Sequence, residues 1–189
     1  VGAYLYDNGQ SDEGRAYIYL GAITGLSTVA SATLESNQAN AQMGVSVASA
    51  GDVNGDGYSD IVVGSPSYTN GQAWEGVAFV YAGSNTGIVT NAYTLLESNQ
   101  SNSVFGLTVA SAGDVNGDGL ADVIVGANYY TNGQNSEGAA FLYYGNLAGI
   151  DVDAGAVFEG NQADASMGVS VASVGDVNGD GFSDVAVGA

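Results

Sequence analysis

The chain has no cysteine, histidine or lysine, one proline, and a single basic residue, Arg15, against twenty acids. Each absence removes a class of function. Without histidine, cysteine or lysine there is no Ser-His-Asp triad, no thiolate nucleophile, no Schiff base, and no zinc site of imidazole or thiolate. Without cysteine there are no disulfides, so any stapling has to come from a metal ion. A net charge of −19 leaves nothing to neutralise phosphates and argues against nucleic acid or an anionic membrane as partner. No apolar run approaches the ~20 residues of a membrane span, so no membrane insertion is expected. Paired carboxylates of the glycosidase kind remain formally available. The acids, however, fall at repeat positions, and the chain is expected not to be an enzyme.

What is present is a loop that occurs three times. GDVNGDGYSD at Gly51 to Asp60 returns as GDVNGDGLAD at Gly113 to Asp122 and as GDVNGDGFSD at Gly175 to Asp184, at a constant spacing of 62 residues. A hard divalent cation takes six to eight oxygens, and these loops place oxygens at alternate positions. In the first, Asp52, Asn54, Asp56 and Asp60 offer side-chain oxygens at positions 1, 3, 5 and 9, and Tyr58 offers its main-chain carbonyl at position 7. The second supplies Asp114, Asn116, Asp118, the Leu120 carbonyl and Asp122; the third supplies Asp176, Asn178, Asp180, the Phe182 carbonyl and Asp184. The expectation is three calcium ions. Position 7 is Tyr, Leu or Phe, as expected if only its carbonyl is used and its side chain packs inward. The loops are not EF-hands, because position 12, which would need a bidentate Glu, holds Val63, Val125 and Val187. Their flanks read as strands rather than helices.

The period covers the whole chain. NGQ recurs at Asn8, Asn70 and Asn132, and an EG pair at Glu13, Glu75 and Glu137 precedes the aromatic runs AYIYL, AFVYA and AFLYY. Glu35, Glu97 and Glu159 open ESNQ, ESNQ and EGNQ. The units are about 1–62, 63–124 and 125–186, each starting in mid-blade, with no second domain. The second unit shows four strand candidates, near Tyr93–Glu97, Leu107–Ala112, Asp122–Gly126 and Ala139–Tyr144. Runs such as AFVYA and IVVG are apolar on both faces, which suits a sheet covered on both sides by equivalent sheets. Four-stranded antiparallel sheets stacked in this way are the blades of a β-propeller or of a superhelical array.

The segments MGVSVASAGDVNGDGYSDIVVGSP, VFGLTVASAGDVNGDGLADVIVGAN and MGVSVASVGDVNGDGFSDVAVGA resemble the FG-GAP repeat of integrin α-subunit propellers and of many secreted bacterial proteins. The resemblance implies an all-β fold of three four-stranded antiparallel blades. In such a blade the calcium loop joins the first two strands, and EGVAFVYAG supplies the third. It also implies an extracellular or cell-surface location. Met43 and Met167 stand where the motif has its first aromatic, which Phe105 keeps. No integrin ligand-binding residue carries over.

Propellers close with four to eight blades, so three units are expected to belong to a larger ring, superhelical array or filament, next to identical chains or further repeats. Val1-Gly2-Ala3 matches Val187-Gly188-Ala189 in phase, which reads as a window on a longer array. Two function classes follow. The first is a calcium-rigidified structural or adhesive element, favoured because the loops are nearly uniform; the second is a propeller recognising a protein or glycan through loops on one face. The tyrosines Tyr6, Tyr68 and Tyr130 are expected to pack between blades rather than to line a sugar site. Glu13, Glu75 and Glu137 are expected to be solvated turn residues.

Overall fold

The computed structural model describes residues 1–189, in strands and turns with no helix. The first sheet contains β1 (Gly2–Ala3), β2 (Arg15–Ile18) and β5 (Ala32–Glu35), with a two-stranded ribbon of β3 (Gly21–Ala22) and β4 (Gly25–Leu26) beside it. The second is a four-stranded meander of β6 (Val47–Gly51), β7 (Asp60–Ser65), β8 (Val77–Tyr81) and β9 (Thr94–Leu96). The third repeats it with β10 (Thr108–Gly113), β11 (Asp122–Ala127), β12 (Ala139–Tyr143) and β15 (Ala156–Glu159). A second ribbon, β13 (Gly145–Asn146) and β14 (Gly149–Ile150), adjoins it. The hairpin of β16 (Ser170–Gly175) and β17 (Asp184–Gly188) is a fourth sheet of two strands. All pairing between these strands is antiparallel.

This is a propeller-like arrangement of blades in which the repeat unit and the sheet are out of phase. Two sheets are complete and two are partial. The four strand candidates of the second unit all exist, but the one near Tyr93 closes the second sheet while the other three open the third. The ribbons carry no alternating pattern to announce them.

Apolar runs without polar alternation have a direct cause here. On β7, Val62 belongs to a core shared with the third sheet and Val63 to one shared with the first, and both are fully buried. On β11, Val123 and Val125 turn to the second sheet, while Ile124 turns to the cluster beside the terminal hairpin. Successive side chains point to opposite faces of a strand, so a strand covered on both sides has to be apolar throughout. Phe105 sits in the largest core, edge-on to Phe141 at 5.4 Å between ring centroids. Met43 occupies the corresponding position in the core between the first two sheets.

Neighbouring sheets approach closely along their first strands. Thr108 Oγ1 on β10 donates to the Gly168 carbonyl (2.8 Å), and the Val109 amide donates to Ser46 Oγ (3.1 Å). The glycine of the FG pair permits this approach: Gly106 has φ +82°, and a Cβ there would strike the Val77 carbonyl oxygen. That is a backbone conformation side chains resist.

Candidate metal centre

Each acidic loop is the tip of a hairpin between the first two strands of a sheet. The first strand ends in a register shift, at Ser49/Gly51, Ser111/Gly113 and Ser173/Gly175, that turns the chain into the loop. There the position-1 carboxylate is wrapped by main-chain amides. Asp52 accepts from Gly55 (2.7 Å), Asp56 (3.1 Å) and Gly57 (2.8 Å). Asp114 accepts from Gly117, Asp118 and Gly119, and Asp176 from Gly179, Asp180 and Gly181, at 2.6 to 3.1 Å. These bonds, the Gly181 amide foremost, hold the Asp176 carboxyl below the usual carboxylate range.

The side-chain oxygens at positions 3 and 5 each accept an amide two residues on. Asn54 Oδ1 takes the Asp56 amide (2.9 Å) and Asp56 Oδ1 takes the Tyr58 amide (2.9 Å). The same bonds recur at Asn116, Asp118, Asn178 and Asp180. The carbonyls of Tyr58, Leu120 and Phe182 accept no main-chain hydrogen bond.

Position 9 differs in its surroundings. Asp60 is fully buried at the base of its loop, with Oδ2 accepting from the Val53 amide (3.0 Å) and Oδ1 from the Gly83 amide (2.8 Å). Asp122 repeats this with Val115 (2.8 Å) and Gly145 (3.0 Å). Burial pushes both carboxyls up; the amide bonds pull them down, and the position-1 and position-5 carboxylates of the same loop add repulsion. Tyr93 lies close enough to Asp60, Asp56 and Asp52 that their charges add to the rise burial causes in its hydroxyl, which is buried without a partner.

The residues fit a calcium ion in donor identity and loop conformation, with hard oxygens at positions 1, 3, 5, 7 and 9 and free position-7 carbonyls. No three carboxylates close on a common point by themselves. The position-9 carboxylates are engaged with amides, though each oxygen keeps a second lone pair.

The position-7 side chains do not pack inward as expected from the sequence: Tyr58 is 43% and Phe182 44% exposed. A Cβ on Gly117 would meet the Phe182 ring, and one on Gly55 would sit 3.0 Å from Leu120 Cδ2, so Phe182 and Leu120 each lie sideways on the position-4 glycine of the preceding loop. Main-chain bonds reinforce the stack, from the Ala121 amide to the Asp52 carbonyl (2.9 Å) and from the Ser183 amide to the Asp114 carbonyl (2.8 Å).

Glu13, Glu75 and Glu137 are not solvated turn residues; all three are fully buried. Glu75 Oε1 accepts from the Asn70 and Gln72 amides, and Glu137 Oε1 from the Asn132 and Gln134 amides. The Glu75 and Glu137 carboxylates thus close the NGQ turns of their own units, each through one oxygen, whereas both Glu13 oxygens are buried without a hydrogen-bond partner. A turn with this many amides aimed inward needs a buried acceptor, a demand the sequence shows only as a fixed NGQ-to-Glu spacing.

The glutamine of ESNQ is a residue whose role sequence reasoning missed. Gln100 donates through Nε2 to the Thr131 carbonyl (2.8 Å) and accepts at Oε1 from the Thr131 amide (2.7 Å), clipping one unit to the next. Gln38 does the same to Thr69. The recurrence of the glutamine was the available signal, but its partner lies 31 residues on. Tyr68 and Tyr130 pack edge-on against Phe79 and Phe141 beside the cores between sheets, as expected, whereas Tyr6, edge-on to Tyr17 of its own sheet, is exposed.

Comparison with known proteins agrees with this architecture. The FG-GAP repeat matches residues 43–87, 105–143 and 167–189, more than half the chain. Integrin alpha-4 of Xenopus laevis is 34% identical over 144 residues, covering 74% of this chain and 14% of the relative. Integrin alpha-6 of Homo sapiens is 33% identical over 137 residues, covering 72% and 12% respectively. Integrin alpha-3 of Cricetulus griseus is 32% identical over 154 residues, covering 81% and 14%. The chain therefore spans about one-seventh of the length of these relatives.

Proposed function

Because the chain belongs to the FG-GAP repeat family and is integrin-α-like, we propose that it is a non-enzymatic, extracellular adhesive repeat whose blades are locked by three calcium ions. The observation that carries this reading is the stack of the three loops. Every loop presents the same amide-wrapped first carboxylate, and the second and third loops each touch the one before through a side chain and a main-chain hydrogen bond.

Asp52, Asn54, Asp56, the Tyr58 carbonyl and Asp60 would hold one ion, with the equivalent sets Asp114 to Asp122 and Asp176 to Asp184 holding the others. Bound calcium supplies positive charge that offsets the repulsion among three carboxylates in nine residues. The chain's own part is to fix the donors. The amides orient the first carboxylate, the two glycines at positive φ, Gly55 and Gly57, let the loop curl, and the position-9 carboxylate ties the loop base to the third strand through Gly83.

The stack also supports an assembly longer than three units. The Ser59 amide and the Asp176 carbonyl are the equivalents of groups that bond between loops inside the chain, and neither finds a main-chain partner. Val169, Val174, Val177 and Phe182 of the terminal hairpin region are exposed. A neighbouring repeat, in the same or an identical chain, would continue both the bonds and the apolar cover. A second reading, recognition of a protein or glycan on one rim, is favoured by the divergence of the rim loops around Trp74.

Calorimetric titration of the metal-free chain tests the calcium assignment. Three calcium ions per chain are expected, falling to two in Asp52→Ala. A chain that takes up none at millimolar calcium, the range of extracellular modules, refutes it.

A further inference from the structure

The rim opposite the acidic loops carries a cavity of about 590 Å³ between the second and third sheets. It lies among the turns that follow β7, β9 and β11. Its aromatic residues are Trp74 and Tyr129, which are 62% and 52% exposed, and its polar ones include Ser101, Asn102 and Asn135. No lining residue is charged, in a chain of net charge −19. Gln100 is already committed to the Thr131 backbone, so the walls are held rigidly while the Ser101 hydroxyl and the Asn102 amide remain open to a ligand.

Trp74 is the only tryptophan and sits at φ +50°. The positive φ belongs to the repeat, since Asp12 (49°) and Ser136 (47°) occupy the same turn of their units. A small polar residue tolerates that conformation, whereas a bulky aromatic is an outlier there, and such strain clusters at sites of function. The aromatic partner is likewise specific to this place: Tyr129 corresponds to Ser67 and Leu5 in the other units. Between the first two units the same positions hold Asp12 and Ser67, a carboxylate and a hydroxyl in place of two aromatic rings. The repeat therefore departs from uniformity where the cavity is.

We propose that this cavity binds a neutral oligosaccharide. Sugar rings offer apolar C–H faces that stack on exposed aromatic rings, and hydroxyls that need neutral donors and acceptors such as amides. An anionic ligand would meet the field of the whole chain, a cationic one would find no carboxylate in the walls, and an apolar peptide would leave the amides unpaired. The inference gives the adhesive reading a ligand and does not depend on the calcium assignment, which the calcium titration tests separately.

The test is a printed glycan array probed with the full chain in millimolar calcium. The best hit is then titrated while the emission of Trp74 is followed, because the sole tryptophan reports on the site directly. Binding to neutral glycans, a saturable blue shift, an affinity at least about tenfold weaker in Asn102→Ala, and loss of binding by calorimetry in Trp74→Asn are expected. The proposal is overturned by an array on which no neutral glycan binds, by binding confined to charged glycans or to a tetralysine peptide, or by full affinity in Trp74→Asn.

Discussion

The two rims of this blade stack are built from opposite materials. On one, three acidic loops share a sequence and the amide wrapping of the first carboxylate, and at both junctions between them position 4 of one loop is covered by position 7 of the next. On the other, a common frame of buried glutamates and glutamine clips carries turns whose exposed residues differ from unit to unit. The first rim gathers carboxylates at its loop tips; on the second, one oxygen each of Glu75 and Glu137 accepts main-chain amides while their other oxygens and both of Glu13 are buried without a partner. Uniformity marks the part that has to repeat for blades to stack, and divergence marks the part free to acquire a ligand.

Removing calcium should have the largest effect and should separate the rims. A tenfold excess over Kd at three sites contributes about 4 kcal/mol. Chelation is therefore expected to lower Tm by on the order of 10 °C. Hydrogen exchange should rise first in 52–60, 114–122 and 176–184 while 97–106 keeps its protection; equal loss of protection on both rims would break the comparison. Next in size is Gly106→Ala, which drives a Cβ against the Val77 carbonyl at positive φ. A loss of about 3 kcal/mol is expected, in calcium and in chelator alike.

Glu75→Ala strips the acceptor from the Asn70 and Gln72 amides. It should cost about 2 kcal/mol, read as an equal fall in Tm with and without calcium. A fall that calcium abolished would mean the glutamate communicates with the acidic loops. The smallest effect is expected of Trp74→Asn, since asparagine tolerates positive φ and the ring is largely exposed. Its Tm should change by no more than the equivalent of about 0.5 kcal/mol. A large fall would make the tryptophan a packing residue and remove it from the diverged rim.

Much of the fold was legible because it rests on local rules. The strands near Asp122 and Ala139 announce themselves by β-branched and aromatic runs, and the blank alternation of IVV announces cover on both faces. The acidic loops were legible as oxygen sets at alternate positions. Misreadings occurred where a neighbour decides. Glutamate before glycine in a turn looks solvated, yet the inward amides of the preceding turn claim it as a buried acceptor. Leu120 and Phe182 look like core residues, yet each side chain lies on the position-4 glycine of the preceding loop, not beneath its own.

By itself the sequence determined the period, the strands of the four-stranded sheets, the donor chemistry of the loops and the need for flanking sheets, because these follow from side-chain alternation and from oxygen spacing within a few residues. Only the tertiary structure decided which sheet each strand joins, that the loops stack on one another, that the glutamates are buried, and that Trp74 and Tyr129 line one cavity. Apart from the amides that the glutamates meet three to five residues away, those facts depend on contacts between residues a whole repeat or half a repeat apart, and the geometry of neighbouring sheets sets them.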